Sequence, residues 1–180
     1  MADHKMDAKT TQIGDAELYI NRELSLLEFN RRVLEQAKDD SNPLLERLRF
    51  LCIASSNLDE FFEIRVAGLK QQVAFGSVQT GPDQMSPTEQ LRAISQAAHE
   101  LVEDQYRVLN DELLPALSAE GIRFLKRSEW NARQASWVRR YFQRELLPVL
   151  SPIGLDTSHP FPRILNKSLN FLVSLEGTDA

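Results

Sequence analysis

The run from Phe50 to Arg65 constrains this chain more than any other stretch. Apolar residues at helical spacing enter it from Leu44 and leave it through Leu58, Phe62, Leu69 and Val73. Inside that pattern sits a polar knot, Ser55, Ser56 and Asn57, followed by Asp59, Glu60 and Glu63. A helix that is apolar on most of its faces is expected to be buried. Polar side chains in such a setting need partners. Two readings of Asn57 follow. In one it caps a helix that restarts at the knot, with Glu60 three residues on as in a capping box. In the other its amide meets the polar edge of a ligand over an apolar floor. The pattern alone leaves both open.

The flanking segments read as helices. Ser25 and Glu28 form a capping-box pair. Leu26, Phe29, Val33 and Ala37 then repeat at helical spacing. Asp39 to Pro43 breaks that helix, and Asn42 with Pro43 is placed to start the next. Gly76 is suited to the stop. After a loop at Thr80–Asp83, Ser86-Pro87-Thr88-Glu89 combines a capping box with proline at the first helical position. Leu91, Ile94, Ala98 and Leu101 give one face of a long helix. Pro115 is expected to kink or end it, and Gly121 closes the segment. Short connections between these helices predict an antiparallel bundle.

The pattern changes after Gly121. Ile122–Leu125 is short and strand-like. Ser128 is a candidate cap for a helix carrying Trp130, Trp137, Val138, Tyr141 and Phe142. Leu169, Phe171, Val173 and Leu175 alternate with their neighbours at the period of a strand. One strand cannot make a sheet. The expected fold is mainly α: an antiparallel helical bundle followed by the truncated start of an α+β domain. The expected division is a loose tail over residues 1–17, a helical domain over 18–121 and an incomplete second domain over 122–180.

Charge follows the same division. The 180 residues carry a net charge of -5. Residues 1–119 hold 12 Lys and Arg against 20 Asp and Glu, whereas residues 120–168 hold 9 against 4. A basic part joined to an acidic one suggests different partners, and a polyanion suits the basic part. A solvated helix face accounts for the same charges. The arginines and aromatics over residues 130–144 also fit a nucleic-acid binder, but the aromatics fall at helical spacing and read better as core. The single cysteine, Cys52, excludes an internal disulfide and fits a reducing compartment. No stretch has the apolar length of a membrane span.

Several chemistries are missing. The 7 glycines form no phosphate-binding loop. No Cys or His pair has metal spacing. His4, His99 and His159 are far apart in sequence. Asp59, Glu60 and Glu63 share neighbouring helix faces, but Mg²⁺ leans on substrate phosphates and water, so a carboxylate cluster alone is weak ground for a metal site. His159 sits in a stiff loop, Ser158-His159-Pro160-Phe161-Pro162, and loops often carry function. Taken by itself the chain does not read as a complete enzyme: the catalytic and metal-binding sets are both expected to be empty.

Tyr19 to Ser25, Phe29 to Leu34, Ser41 to Leu51 and Ser56 to Phe62 resemble, in order, the opening of polyphosphate kinase of the histidine-phosphorylating type. Leu150 to Ile153 and His159 to Pro162 resemble the start of that family's second domain. The resemblance implies an enzyme that reversibly transfers the terminal phosphate of ATP to polyphosphate through a phosphohistidine, with Mg²⁺. It implies that this part helps bind the adenine end of ATP, with Asn57 as the nucleotide-binding residue. The catalytic histidines, phosphate-gripping arginines and Mg²⁺ ligands are expected in later domains, so this part alone is expected to be inactive. It also implies ATP, ADP and polyphosphate as partners, no nucleic acid, and a homo-oligomer formed through the second domain. The implied location is the cytoplasm, extending to peripheral contact with the inner membrane. Leu27 stands where relatives often place tryptophan, a difference of packing. The alternative is a helical interaction module without nucleotide binding.

Overall fold

The computed structural model describes residues 13–156 and 158–174. The strand pattern expected at Leu175, most of the expected tail and His4 lie outside those residues. The chain divides between Phe124 and Leu125 into two compact units.

In the first unit three helical rods stand side by side. Helix α1 spans Arg22–Lys38. Helix α2 spans Leu44–Glu60 and runs through a π-helical turn, Phe61–Val66, into α3, Ala67–Ala74. Helix α4 spans Pro87–Arg107 and runs through a second π turn, Val108–Leu113, into α5, Leu114–Ala119. Asn30 bonds to Ala54, and Arg47 bonds back to Ala37, so α1 and α2 are antiparallel. Helix α3 packs on α4, while α2 packs on the turn that follows α4, so the second and third rods are antiparallel too.

The core is a seam along all three rods. Leu34, Ile94, Leu101, Val108, Leu113 and Leu117 are fully buried. On the second rod the buried positions are Leu51, Ala54, Leu58, Phe61, Val66 and Leu69. The step of five from Phe61 to Val66 coincides with the π turn, which adds a residue to the turn and carries the buried stripe past it. The same step of five, Val108 to Leu113, marks the π turn of the third rod.

Several expectations are corrected here. Helix α1 starts three residues before Ser25: Asn21 Oδ1 accepts from the backbone N–H of Glu23 and Leu24, at 3.0 and 3.1 Å. The buried face is offset by one residue from the expected stripe, to Leu27, Asn30, Leu34 and Ala37, leaving Leu26 and Phe29 partly exposed. Asn42 does not cap α2; its Nδ2 donates to the Gln36 carbonyl, and Pro43 takes the cap position. Helix α2 is buried on one face only, with Ile53 and Cys52 exposed. The π turn makes Phe61, not Phe62, the buried aromatic. Pro115 does not end the third rod, which continues to Ala119. Proline lacks the N–H that would bond to Asp111, and residue 111 lies within the π turn, where α-type bonding is already interrupted.

Other signals behave as read. Ser86 and Glu89 form the capping box of α4, Glu89 Oε2 accepting from Ser86 N–H at 2.8 Å. Gly76 and Gly121 take positive φ, +69° and +82°, at the two rod ends. Ile122 N–H then bonds to the Leu117 carbonyl at 2.9 Å, as in a Schellman closure.

In the second unit, helix α6 spans Ala132–Tyr141 and ends in a π turn, Phe142–Leu146, and a 3₁₀ turn, Leu147–Val149. Its cap is Asn131, boxed with Gln134, rather than Ser128, which lies inside a 3₁₀ turn at Arg127–Glu129. No strand forms among the described residues. A strand is defined by pairing, and neither Ile122–Leu125 nor residues 169–174 have a partner segment.

Candidate functional site

Asn57 is not a cap. Its carbonyl accepts from Phe61 N–H, and the helix passes through the knot without restarting. The residue is half-buried and faces α1. Asn57 Nδ2 donates to Asn30 Oδ1 at 3.2 Å, and Asn30 Nδ2 donates to the Ala54 carbonyl at 2.8 Å. Asn30 is only 3% exposed. A buried amide stripped of its partners costs about 1–3 kcal/mol, so this relay is held firmly by the packing of α1 on α2.

The two asparagines lie in the wall of a groove of about 320 Å³ between α1 and the second rod. Leu26, Leu27, Phe29 and Phe61 give it apolar surface, and Glu60 and Arg65 give it charge. Phe29 is 52% exposed, and the Arg32 guanidinium lies over its ring, 5.8 Å from the centroid. Phe61 meets Phe62 edge-on at 5.8 Å. Arg65 Nε lies 3.7 Å from Glu23 Oε2, which is buried and makes no hydrogen bond. This pair anchors the π turn to the first turn of α1. The groove thus combines apolar wall with hydrogen-bonding side chains.

The sequence reading brought Asn57 forward but missed Asn30. Asn30 sits on the buried face, one residue away from the expected stripe of Leu26, Phe29 and Val33. The signal was available: at helical spacing, position 30 falls in line with Leu27, Leu34 and Ala37. Asn21 itself was also missed. Its Nδ2 donates to Asp83 Oδ2 at 2.5 Å, tying the start of α1 to the loop before α4.

Other candidates do not join this site. Among the described residues no three His, Cys, Asp or Glu side chains gather to hold a metal ion, Asp59, Glu60 and Glu63 included. His99 Nδ1 lies 2.6 Å from the Ser95 carbonyl, a contact along α4. His159 Nδ1 lies 3.0 Å from both oxygens of Asp156 and 3.1 Å from Ser158 Oγ. Bonds from Ser158 and His159 lower the Asp156 pKa. Serine and aspartate crowd the same ring nitrogen, so His159 cannot relay a proton between them as a catalytic triad does. In the second unit, Leu125, Trp130, Arg133 and Trp137 line a further open hollow of about 550 Å³. No helix among the described residues is long and apolar enough to cross a membrane.

Known proteins place this architecture. The polyphosphate kinase N-terminal domain model matches residues 19–125, and the polyphosphate kinase middle domain model matches residues 133–180. The polyphosphate kinases of Pseudomonas syringae pv. tomato and Pseudomonas aeruginosa are each 58% identical over 168 residues, covering 93% of this chain and 23% and 24% of theirs. That of Xylella fastidiosa is 56% identical over 169 residues, covering 94% of this chain and 24% of its own. The chain thus spans about a quarter of the length of these relatives. The crystal structure of polyphosphate kinase from Porphyromonas gingivalis superposes with a TM-score of 0.59 at 33% identity, over 72% of this chain and 18% of that one. With its helical rods and the segment that follows both matched in order, the chain belongs to the polyphosphate kinase family.

Proposed function

We propose that this chain is the nucleotide-facing N-terminal part of a polyphosphate kinase, and that the groove beside Asn57 receives the adenine end of ATP. The observation that carries the reading is the clamped Asn57 amide above an apolar wall of Leu26, Leu27 and Phe29. In the whole enzyme the terminal phosphate of ATP passes reversibly to polyphosphate through a phosphohistidine. Phosphoryl transfer depends on positioning, so fixing the far end of the nucleotide contributes to the reaction without touching the phosphate. The division of labour is a helical domain over residues 18–121 and the beginning of a second domain over 122–180. The phosphorylated histidine and the Mg²⁺ ligands lie in domains beyond these residues, and this part alone makes no polymer. The exposed Arg133, Arg139 and Arg140 suit a polyanion such as polyphosphate. A cytoplasmic enzyme that assembles through its second domain completes the reading.

Asn57→Ala in the full-length enzyme tests it. Losing one neutral hydrogen bond costs about 0.5–1.5 kcal/mol, which corresponds to roughly two- to tenfold weaker ATP binding. Asn57→Ser is expected to lose as much affinity, since its hydroxyl cannot reach as far as the amide. Equilibrium binding that stays at the wild-type value in both variants would remove Asn57 from the site.

A further inference from the structure

We propose that Asn30 is a positioning residue: it fixes the Asn57 amide with its carbonyl oxygen free for the ligand, so that the groove selects a purine bearing an exocyclic amine. The inference rests on the reading that Asn57 meets the base.

An asparagine side chain offers an acceptor at one branch and two donors at the other, and the network around it decides which way it faces. Here the network has one solution. The Ala54 carbonyl can only accept, so the branch of Asn30 that meets it at 2.8 Å is Nδ2. Asn30 Oδ1 is then the branch that meets Asn57, and it too can only accept. Asn57 must therefore present Nδ2 to Asn30. Turning either amide over would set oxygen against oxygen inside the packing of α1 on α2, where Ala54 is fully buried. Asn57 Oδ1 has no hydrogen-bond partner among the described residues, and Asn57 lines the groove. The groove therefore offers an acceptor, with the carboxylate of Glu60 as a second one in its lining. The lining cation, Arg65, is paired with Glu23. An acceptor edge takes a donor such as an exocyclic amine and gains nothing from a purine without one.

The test compares ATP with purine riboside triphosphate, which carries hydrogen in place of the C6 amine, in the full-length enzyme. Wild type is expected to favour ATP about tenfold in kcat/KM, through KM rather than kcat. Asn30→Ala frees the Asn57 amide to turn and donate to the ring nitrogen instead, so the preference should fall to about twofold with kcat retained. Asn30→Asp can no longer donate to Ala54 but still accepts from Asn57 Nδ2, so it should cost stability and keep the preference. A merely structural role for Asn30 would move stability in both variants and leave the preference at its wild-type value in Asn30→Ala. That result overturns the proposal, as does a wild-type enzyme that uses the two nucleotides equally well. The wild-type comparison decides even if neither Asn30 variant folds. Failure of the underlying reading looks different: Asn57→Ala would then leave KM unchanged for both nucleotides.

Discussion

Helix α4 begins at the capping box of Ser86 with Glu89, and helix α6 begins at that of Asn131 with Gln134. Both carry an apolar stripe at helical spacing. On α4, Ile94, Ala98 and Leu101 are at most 3% exposed. On α6 nothing is buried, and Trp137 keeps 58% of its surface open while stacking on Tyr141 at 5.2 Å. Caps and spacing are local and suffice to form a helix. Burial is not local: α4 meets α1 and α3, whereas the described residues of the second unit supply α6 with no opposing layer.

Hydrogen exchange on this chain should separate the two helices' surroundings most widely. Backbone amides over Leu91–Leu101 open only with the core, so their protection should reach on the order of 10³ or more. Amides over residues 169–174, without strand partners, should exchange near the unprotected rate. Equal protection in the two regions would mean that the second unit carries a core of its own.

Point substitutions sharpen the contrast. Leu101→Ala opens a cavity in the seam and should cost about 2–5 kcal/mol in urea unfolding. Trp137→Ala removes a larger side chain but should cost less than about 1 kcal/mol, because it vacates no packed space. A comparable loss from both would show that α6 is buried in solution.

A smaller effect is tied to pH. Lys38 Nζ lies 2.5 Å from Asp104 Oδ2 between α1 and α4. Burial alone would raise the Asp104 pKa, but hydrogen bonds and charge from Lys38 and Arg107 outweigh it and hold it below the ordinary 3.8. Burial likewise opposes the charge on Lys38, yet its bonds to Asp104 and Glu35 raise its pKa above 10.5. The carboxylate's contribution is present above pH 3.8 and fades as pH falls through the lower folded-state value. The ammonium's contribution is present below pH 10.5 and fades as pH rises through the higher one. Asp104→Asn should therefore destabilise by roughly 1 kcal/mol at pH 7, and its difference from wild type should shrink in acid below pH 3.8. Asp156, fully exposed in the second unit, also has a lowered pKa. Asp156→Asn should leave global unfolding unchanged at every pH.

What was legible in the sequence divides along the same line between local and non-local physics. The Ser86 box and the glycine stops at Gly76 and Gly121 depend on a few neighbouring residues, and they were readable. So was the helical class, from spacing. The two π turns were not read, although the five-residue steps from Phe61 to Val66 and from Val108 to Leu113 record them. A spacing of five is meaningful only once the buried face is known. Choosing the stripe of Leu26, Phe29 and Val33 over that of Leu27 and Leu34 concealed Asn30, and with it the partner of Asn57. The start of α1 was misread separately, by preferring a Ser–Glu pair over Asn21, whose worth as a cap is reinforced by Asp83, a residue 62 positions away. The knot drew attention through its polarity, but whether Asn57 capped or faced outward depended on α1.

The smallest effect separates the two units most cleanly, because the same lesion is placed in each. Ser86→Ala and Asn131→Ala each remove the oxygen that accepts from the third helical N–H, at 3.3 Å in α4 and 2.9 Å in α6. A lost cap costs about 1 kcal/mol wherever it occurs. In α4 that loss is coupled to Ile94, Ala98 and Leu101, so it should appear in full as a lower midpoint of cooperative unfolding. In α6 no buried residue links the helix to a core, so the loss should appear only as fraying, read as faster exchange of the Arg133 to Ser136 amides with the midpoint unchanged. Cutting both caps together should give the sum of the separate effects, since nothing in the comparison couples them. A shift of the global midpoint by Asn131→Ala would show that α6 folds together with the first unit, and the contrast between buried and unburied helices would then have to be redrawn.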